Sequence, residues 1–396
     1  MNILFLAHRV PYPPSKGDKL RAFNIIKYLS AKHNVHLFCI SHENGDDKYK
    51  TELLKWCKTV DIICVNLFLK KLLTPWYIFK KLPLTLPFFY SEKLMKLVLE
   101  KHRQMDMSFI FSSSMAQYVI GLKMPKIMDF IDADSDKWRQ YADFAKFPVS
   151  MIYRRESFLL AKHEEEIIKN VNASIVVSNS EEELFKLRQP DAKVFTVSNG
   201  VDFEHFKPAV NLAKENIAVF TGEMNYFANV DAVRYFYEQI FMLVKQSVPD
   251  FKFYIVGRNP AKEVRELAED KDIIVTGEIP DVREFIARAK VCVVPMRIGR
   301  GIQNKVLEAM SMGKSVVATP LAVRGINVVN NEEIFVAGNA REFAEKIVEL
   351  LYDEKKRENM GRNARKAIEE RYSWGYNLKR LDELIEGLNP LPSGRG

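Results

Sequence analysis

The sequence predicts two successive α/β domains, each a doubly wound parallel sheet, followed by a C-terminal helix. Three observations predict this. The chain has 396 residues, more than one hydrophobic core ordinarily holds. Short apolar runs alternate with longer amphipathic segments, the rhythm of strands joined by crossover helices. That rhythm stops at the Asn199-Gly200 turn and then starts again.

In the first half the predicted strands are residues 2–7, 35–40, 60–65, 109–114, 126–131, 174–178 and 194–198. Most are apolar at consecutive positions, as strands buried on both faces are. Helices are predicted over Lys19–Lys32 and Tyr153–Lys169, the second with its charges facing outward. In the second half the strands are 217–222, 251–257, 273–277, 291–295 and 315–320, with helices over Val230–Leu243 and Lys305–Met312. A charged amphipathic helix closes the chain at Trp374–Leu388. The expected domains are therefore 1–200, 201–373 and a terminal helical segment, 374–396.

Hydrophobic residues make up 47% and charged residues 28%, the balance of a globular protein without a bilayer span. The first residues read as a buried strand rather than a signal peptide, so a cytoplasmic location is expected. The four cysteines show no CxxC pair and the seven histidines no cluster, which points to reduced thiols and no bound metal. A net charge of +8 implies an anionic partner. No helix-turn-helix, RNA-binding signature or basic arm is present, so nucleic acid is not the expected one. Val65–Lys101 carries seven lysines (Lys70, Lys71, Lys80, Lys81, Lys93, Lys96, Lys101) against Glu92 and Glu100, interleaved with seven aromatics. Such a mixture suits an anionic membrane surface; it equally suits inward-packed aromatics under a solvated lysine face.

The chemistry concentrates in RIGRGIQNKVLEAMSMGKSVVAT, residues 297–319. A loop with Gly301 leads into a helix carrying Lys305 and Glu308, and Gly313 turns the chain into the next strand. Amides at a helix start can hold a phosphate, Lys305 can add a point charge, and Glu308, on the same face, can accept from ribose hydroxyls. An ordinary i,i+3 surface pair has the same spacing.

This stretch resembles the C-terminal signature of family-four, group 1 retaining glycosyltransferases of the Rossmann-like GT-B fold. FTGEMNYFANVDAVRYF (220–236), IVGRNP (255–260) and TGEIPDVREFIARAKVCVVP (276–295) extend the resemblance. So do HRVPYPPSKGDKLRAFN (8–24) and DFIDADSDKWRQYA (129–142). Together they are similar to the sugar transferases associated with PEP-CTERM/exosortase exopolysaccharide systems.

The resemblance implies a nucleotide diphosphate sugar as donor, a saccharide or lipid-linked acceptor, retention of configuration and no metal cofactor. It implies closure of the two domains over the donor and a terminal helix that crosses back to the first domain. Glu308 takes the place of the ribose-binding glutamate of the E-x7-E signature, but the first glutamate is replaced by Arg300. Donor contacts then fall to the amides of Gly301 and Ile302, and backbone at Glu278 and Ile279 meets the base. Two cations that the family places on the diphosphate, one just after Gly222 and one six residues later, are here Glu223 and Asn229. The charge must come from Lys305, Arg258 or Arg300.

In the first domain Gly17, expected in the loop after the first strand, takes the place of a glycine beside the donor phosphate. His8 ends that strand, either facing the cleft or as a structural histidine. Asp129, Asp132, Asp134 and Asp136 gather at a strand end, and Asp132 or Asp134 is expected to hold a sugar or acceptor hydroxyl. A metal site and helix capping are the other readings. A nucleotide-sugar 2-epimerase of the same fold and a non-catalytic sugar-nucleotide-binding subunit are the rival functions. A dehydrogenase would need a GxGxxG after a strand, which is absent.

Overall fold

In this computed structural model the described residues are 1–14, 17–42, 45–66, 77, 81–209 and 215–388. The chain divides into two compact units: Met1–Val197 with Leu378–Gly396, and Ser198–Asn377. The divisions lie three residues before the expected boundary at 200 and four after the one at 373.

The first unit is built on seven strands: β1 (Asn2–Ala7), β2 (Asn34–Ser41), β3 (Thr59–Cys64), β4 (Met107–Phe111), β5 (Lys126–Ile131), β6 (Ala173–Val176) and β7 (Val194–Thr196). They run in the order β3-β2-β1-β4-β5-β6-β7, and every pairing is parallel. Ile3, Leu4, Phe5, Leu6 and Ala7 are all fully buried, because a parallel sheet covered on both faces has no solvent side. The run FIFSSS divides: the strand ends at Phe111, and Ser113–Tyr118 form a 3-10 turn.

The second unit holds six parallel strands: β8 (Glu215–Thr221), β9 (Lys252–Val256), β10 (Ile273–Val275), β11 (Ala289–Val294), β12 (Ser315–Ala318) and β13 (Phe335–Val336). Their order is β10-β9-β8-β11-β12-β13. The two-residue β13 is too short to leave a sequence signal. The helix expected over 230–243 is longer and broken in type: Phe227–Tyr235 continues into a π-helical turn, Phe236–Phe241, and then Met242–Ser247.

The terminal segment does not act as one piece. Trp374–Asn377 belongs to the second unit, where a Cβ on Gly200 would lie 2.4 Å from the Trp374 amide nitrogen. Lys379–Glu386 belongs to the first unit, with Leu381 and Ile385 buried. There Asp382 accepts from the Tyr28 hydroxyl at 2.8 Å and the Lys32 ammonium at 2.6 Å.

The helix Val149–Asn170 corrects the expectation of outward charges, since Glu156 and Glu164 are buried. Glu156 accepts from the amides of Leu84 and Thr85 at 2.7 and 2.9 Å, and so holds the start of the short helix Thr85–Phe88. Glu164 accepts from the Ser135 amide and from Arg188, while burial raises its carboxyl to about 7. Buried carboxylates persist only where such donors surround them.

Residues 67–76 and 78–80 of the basic and aromatic stretch 65–101 lie outside the described residues, among them Lys70, Lys71 and Lys80. Among the described residues no helix is long and apolar enough to cross a membrane.

Candidate functional site

In a parallel sheet ligands gather at the carboxyl ends of the strands, where the strand order reverses. In the second unit the reversal lies between β8 and its neighbour β11. After β8 the chain passes Gly222 and enters the helix Phe227–Tyr235; after β11 it enters the helix Asn304–Ser311. Neither helix start is capped by a side chain, so both present their positive ends to the same edge.

Lys305 stands between them. Its ammonium donates to Asn229 Oδ1 at 2.6 Å and lies 4.2 Å from the Phe220 ring centroid. Asn229 Nδ2 in turn donates to the Glu223 carbonyl at 2.9 Å. A Cβ on Gly222 would lie 2.8 Å from Asn229 Nδ2 and 3.4 Å from Lys305 Nζ. Glycine is therefore what lets the strand end come this close to the cation. Gly257, at the end of β9, is tighter still: a Cβ there would lie 1.7 Å from the Gly222 carbonyl oxygen.

The two positions at which the resemblance implies cations make other contacts here. Asn229 orients Lys305. Glu223 pairs with Arg258 at 2.7 Å and accepts from Asn259 at 2.6 Å. Arg258 is thus at the expected strand end, but its charge is largely met by Glu223. Lys305 remains the principal cation at the switch point.

Lys305 and Glu308 are both half-buried, walled by protein on one side and reached by solvent on the other. Burial lowers the Lys305 ammonium to about 7, against the attraction of Glu308. Burial raises the Glu308 carboxyl to about 7, against the attraction of Lys305. The helix that carries them is anchored on its far face by buried Val306, Leu307 and Met310. Each such side chain contributes about 1.5–3 kcal/mol by burial. Gly313 ends the helix in the left-handed region at φ 65°, and Arg365 donates to the Ser311 carbonyl at 2.7 Å.

Arg300, Gly301 and Ile302 lie in the loop before this helix, with Gly301 at φ 66° and Ile302 buried. Arg297 fixes the loop to the neighbouring helix by pairing with Asp231 at 2.6 Å and stacking on Tyr235. Exposed Glu278 and half-buried Ile279 follow β10, two strands from β8 on the same edge.

The carboxyl edge of the first unit carries a second polar cluster. His8 ends β1, and its Nε2–H donates to Asp18 at 3.2 Å. Its Nδ1 is buried with no hydrogen-bonding partner among the described residues. Burial works to raise the Asp18 carboxyl, but the His8 hydrogen bond and Arg9 outweigh it and hold it far below the usual range. Gly17 is not in a loop: it is the first residue of the helix Gly17–Ser30 and is exposed.

The four carboxylates of 129–136 do not converge, so the metal reading loses its geometry. Asp129 is fully buried against Arg21 at 2.8 Å. Asp136 pairs with Arg139 at 2.9 Å. Asp134, first residue of the helix Asp134–Phe144, accepts from Ser113 at 3.0 Å and pairs with Lys137. Burial opposes ionisation of Asp134, yet Lys137, Ser113 and the nearby His8 lower its pKa. Asp132 is half-buried in the turn between, its amide donating to the Phe130 carbonyl at 2.9 Å. His163 donates to the Ser113 carbonyl at 3.2 Å, and burial lowers its pKa.

Two strand ends in this cluster are strained. Ser112 has φ 80° and Ile131 has φ 69°, positions that cost a side chain about 1–3 kcal/mol. Asp18 and Lys137 fall inside the stretches 8–24 and 129–142, but their contacts with His8, Asp134, Ser113 and His163 were not legible, because the sheet order brings these separate segments together.

Affinity for an anionic ligand should depend on pH in a way these groups dictate. Above about 7 Lys305 loses its proton, and below about 7 Glu308 gains one. Binding is expected to weaken as pH rises through about 7, where Lys305 loses its charge, and Lys305→Ala should remove that fall; protonation of Glu308 below about 7 only removes a negative charge and does not weaken binding of an anion. Calorimetric titration from pH 5.5 to 9 checks this; a flat profile contradicts it.

Residues 215–353 match the family described as Glycosyl transferases group 1. The capsular polysaccharide biosynthesis glycosyltransferase CapM of Staphylococcus aureus is 24% identical over 220 residues, covering 52% of this chain and 57% of CapM. The chain thus spans little more than half the length of that relative. HepE of Anabaena, solved with UDP and glucose, superposes with a TM-score of 0.71 at 15% identity, over 98% of this chain and 99% of HepE. Sucrose-phosphate synthase of Thermosynechococcus elongatus gives 0.73 at 15% identity, over 98% and 99%. The fold is the two-domain GT-B arrangement, with a helical C-terminal region.

Proposed function

We propose that this chain is a glycosyltransferase that moves a sugar from a nucleoside diphosphate sugar to a saccharide or lipid-linked acceptor in cell-surface polysaccharide synthesis, with retention of configuration. The observation that carries this reading is the junction of Gly222, Asn229 and Lys305 at the β8/β11 switch point, with Glu308 one helical turn further on. The match of residues 215–353 supports it. The name of CapM supports the polysaccharide class, and the resemblance of residues 8–24, 129–142 and 220–236 to PEP-CTERM/exosortase-associated transferases favours an exopolysaccharide system.

In this reading the diphosphate lies against Lys305 and the two helix starts. Glu308 accepts from the ribose hydroxyls, and backbone at Glu278 and Ile279 meets the base. Gly301, Ile302 and Arg300 border the donor sugar. Arg258, tempered by Glu223, flanks the phosphates. As the glycosidic bond breaks, negative charge grows on the leaving phosphate, and Lys305 with the helix dipoles stabilises it in place. No metal is assigned, because Lys305 supplies the charge at the leaving group. In the first unit Asp132 or Asp134 is assigned to a sugar or acceptor hydroxyl. A location on the inner face of the plasma membrane fits a lipid-linked acceptor.

A thermal-shift screen of UDP, GDP, ADP, CMP and their sugar conjugates, without added metal, tests the reading. UDP and UDP-glucose are the first choices, given the ligands of HepE. A ligand at 100 times its Kd adds about 2.7 kcal/mol of stability, a shift of several degrees. No shift with any nucleotide, or an equal shift in the Lys305→Ala, Glu308→Ala double variant, would overturn the assignment.

A further inference from the structure

We propose that the tip of the helical hairpin formed by Asp134–Phe144 and Val149–Asn170 is a membrane-docking wedge for anionic lipid. At the tip Phe147 is 79% exposed, Met151 62%, Phe144 47% and Val149 41%, and Phe158, two turns down the second helix, is 59% exposed. Solvated apolar side chains scatter singly on most proteins; five within fifteen residues of one hairpin are a concentration that water does not favour. The hairpin behind them is stiff. Trp138 packs edge-on against Tyr153 with ring centroids 5.0 Å apart, and against Tyr141 at 5.9 Å.

Charge complementarity names the occupant. Arg139, Lys146, Arg154 and Lys162 are exposed around the tip, with Asp143 and, against Arg139, Asp136 as the acids, so four cations face two acids. Asp143 lies 3.5 Å from Arg139 and 4.0 Å from Arg154, which leaves the collar clearly cationic. The Lys162 ammonium sits 4.3 Å from the Phe158 ring centroid, so a base marks the depth at which the apolar face ends. Met151 and Phe158 are seven residues apart, about 10 Å of helix. Arg154 lies within that span and Lys146 at the tip, so their long side chains reach out to the phosphates while the apolar side chains enter the headgroup and acyl boundary.

Other chain joins this face. Arg155 donates to the Leu82 carbonyl at 3.3 Å, and Glu156 holds the amides of Leu84 and Thr85. Leu82 is 51% exposed and Lys81 is exposed beside it. The described end of the basic and aromatic segment therefore borders the hairpin, and the two extend one cationic, apolar surface. The wedge suits the lipid-linked acceptor of the proposed function, but its partition is measured without any donor or acceptor, so either can fail alone.

The test is co-sedimentation of the full chain with phosphatidylcholine vesicles containing 30% phosphatidylglycerol. The chain should bind these and not pure phosphatidylcholine vesicles. Phe147→Glu with Met151→Glu should weaken partition about a hundredfold, since each buried side chain is worth roughly a factor of ten. Arg154→Gln with Lys146→Gln should weaken it and flatten its salt dependence. Nucleotide thermal shifts should be unchanged in both, which separates lost docking from lost folding. Unaltered partition of the Phe147, Met151 double variant would overturn the proposal. So would absence of binding by the parent chain, or a parent dimer that this variant dissolves, which would assign the face to a second copy.

Discussion

Replacing Lys305 by alanine is expected to lower turnover by on the order of 10²–10³, with a smaller loss of donor affinity. The ammonium lies between the ends of β8 and β11, held at 2.6 Å by Asn229 and backed by the Phe220 ring. Charge that develops on a leaving phosphate needs a fixed cation most in the transition state. Removal of one should therefore cost more in kcat than in KM. Arginine should not restore activity, because its larger planar head does not fit beside Gly222, where a Cβ would already approach Lys305 Nζ to 3.4 Å. Steady-state kinetics with the nucleotide sugar found by the thermal screen gives the answer. An equal kcat in Lys305→Ala would remove this residue from the chemistry.

The second large effect concerns stability. Arg21 and Asp129 are both fully buried, 2.8 Å apart, and Arg21 also donates to the Val197 carbonyl at 2.9 Å. Burial raises the Asp129 carboxyl, and Arg21 works against that. Arg21→Ala strands a carboxylate in the core, which costs about 3–5 kcal/mol. The first unit should melt on the order of 10 °C lower. Replacing both partners, Arg21→Met with Asp129→Leu, should recover most of the loss, because neither charge is then left unpaired. A melting point within about 2 °C of the parent for Arg21→Ala would show that the pair does not hold the unit together.

The order of strands and helices was legible because two-sided burial writes itself as consecutive apolar residues. Asn2–Ala7 and Lys126–Ile131 end in the structure where the sequence ends them. The run 109–114 misled because three serines extend an apolar strand that the backbone leaves at Ser112, with φ 80°. Glu156 and Glu164 misled because helix periodicity does not reveal that a buried carboxylate has donors waiting on another segment.

In the second unit the sequence by itself placed Lys305, Glu308 and the loop with Gly301 next to one another, since strand, loop and helix start are contiguous. Tertiary structure alone decided what Asn229 and Glu223 do. Their substitutions read as lost charges, but packing β8 beside β11 turns Asn229 into the acceptor that positions Lys305, and packing β8 beside β9 turns Glu223 into the partner of Arg258. In the first unit His8, Asp18, Ser113, Asp134 and His163 meet only because the parallel sheet brings the ends of β1, β4 and β5 to one edge. Local pattern records which face of an element is buried. Which side chains share a strand end depends on sheet order, and that is fixed by contacts between residues far apart in the chain.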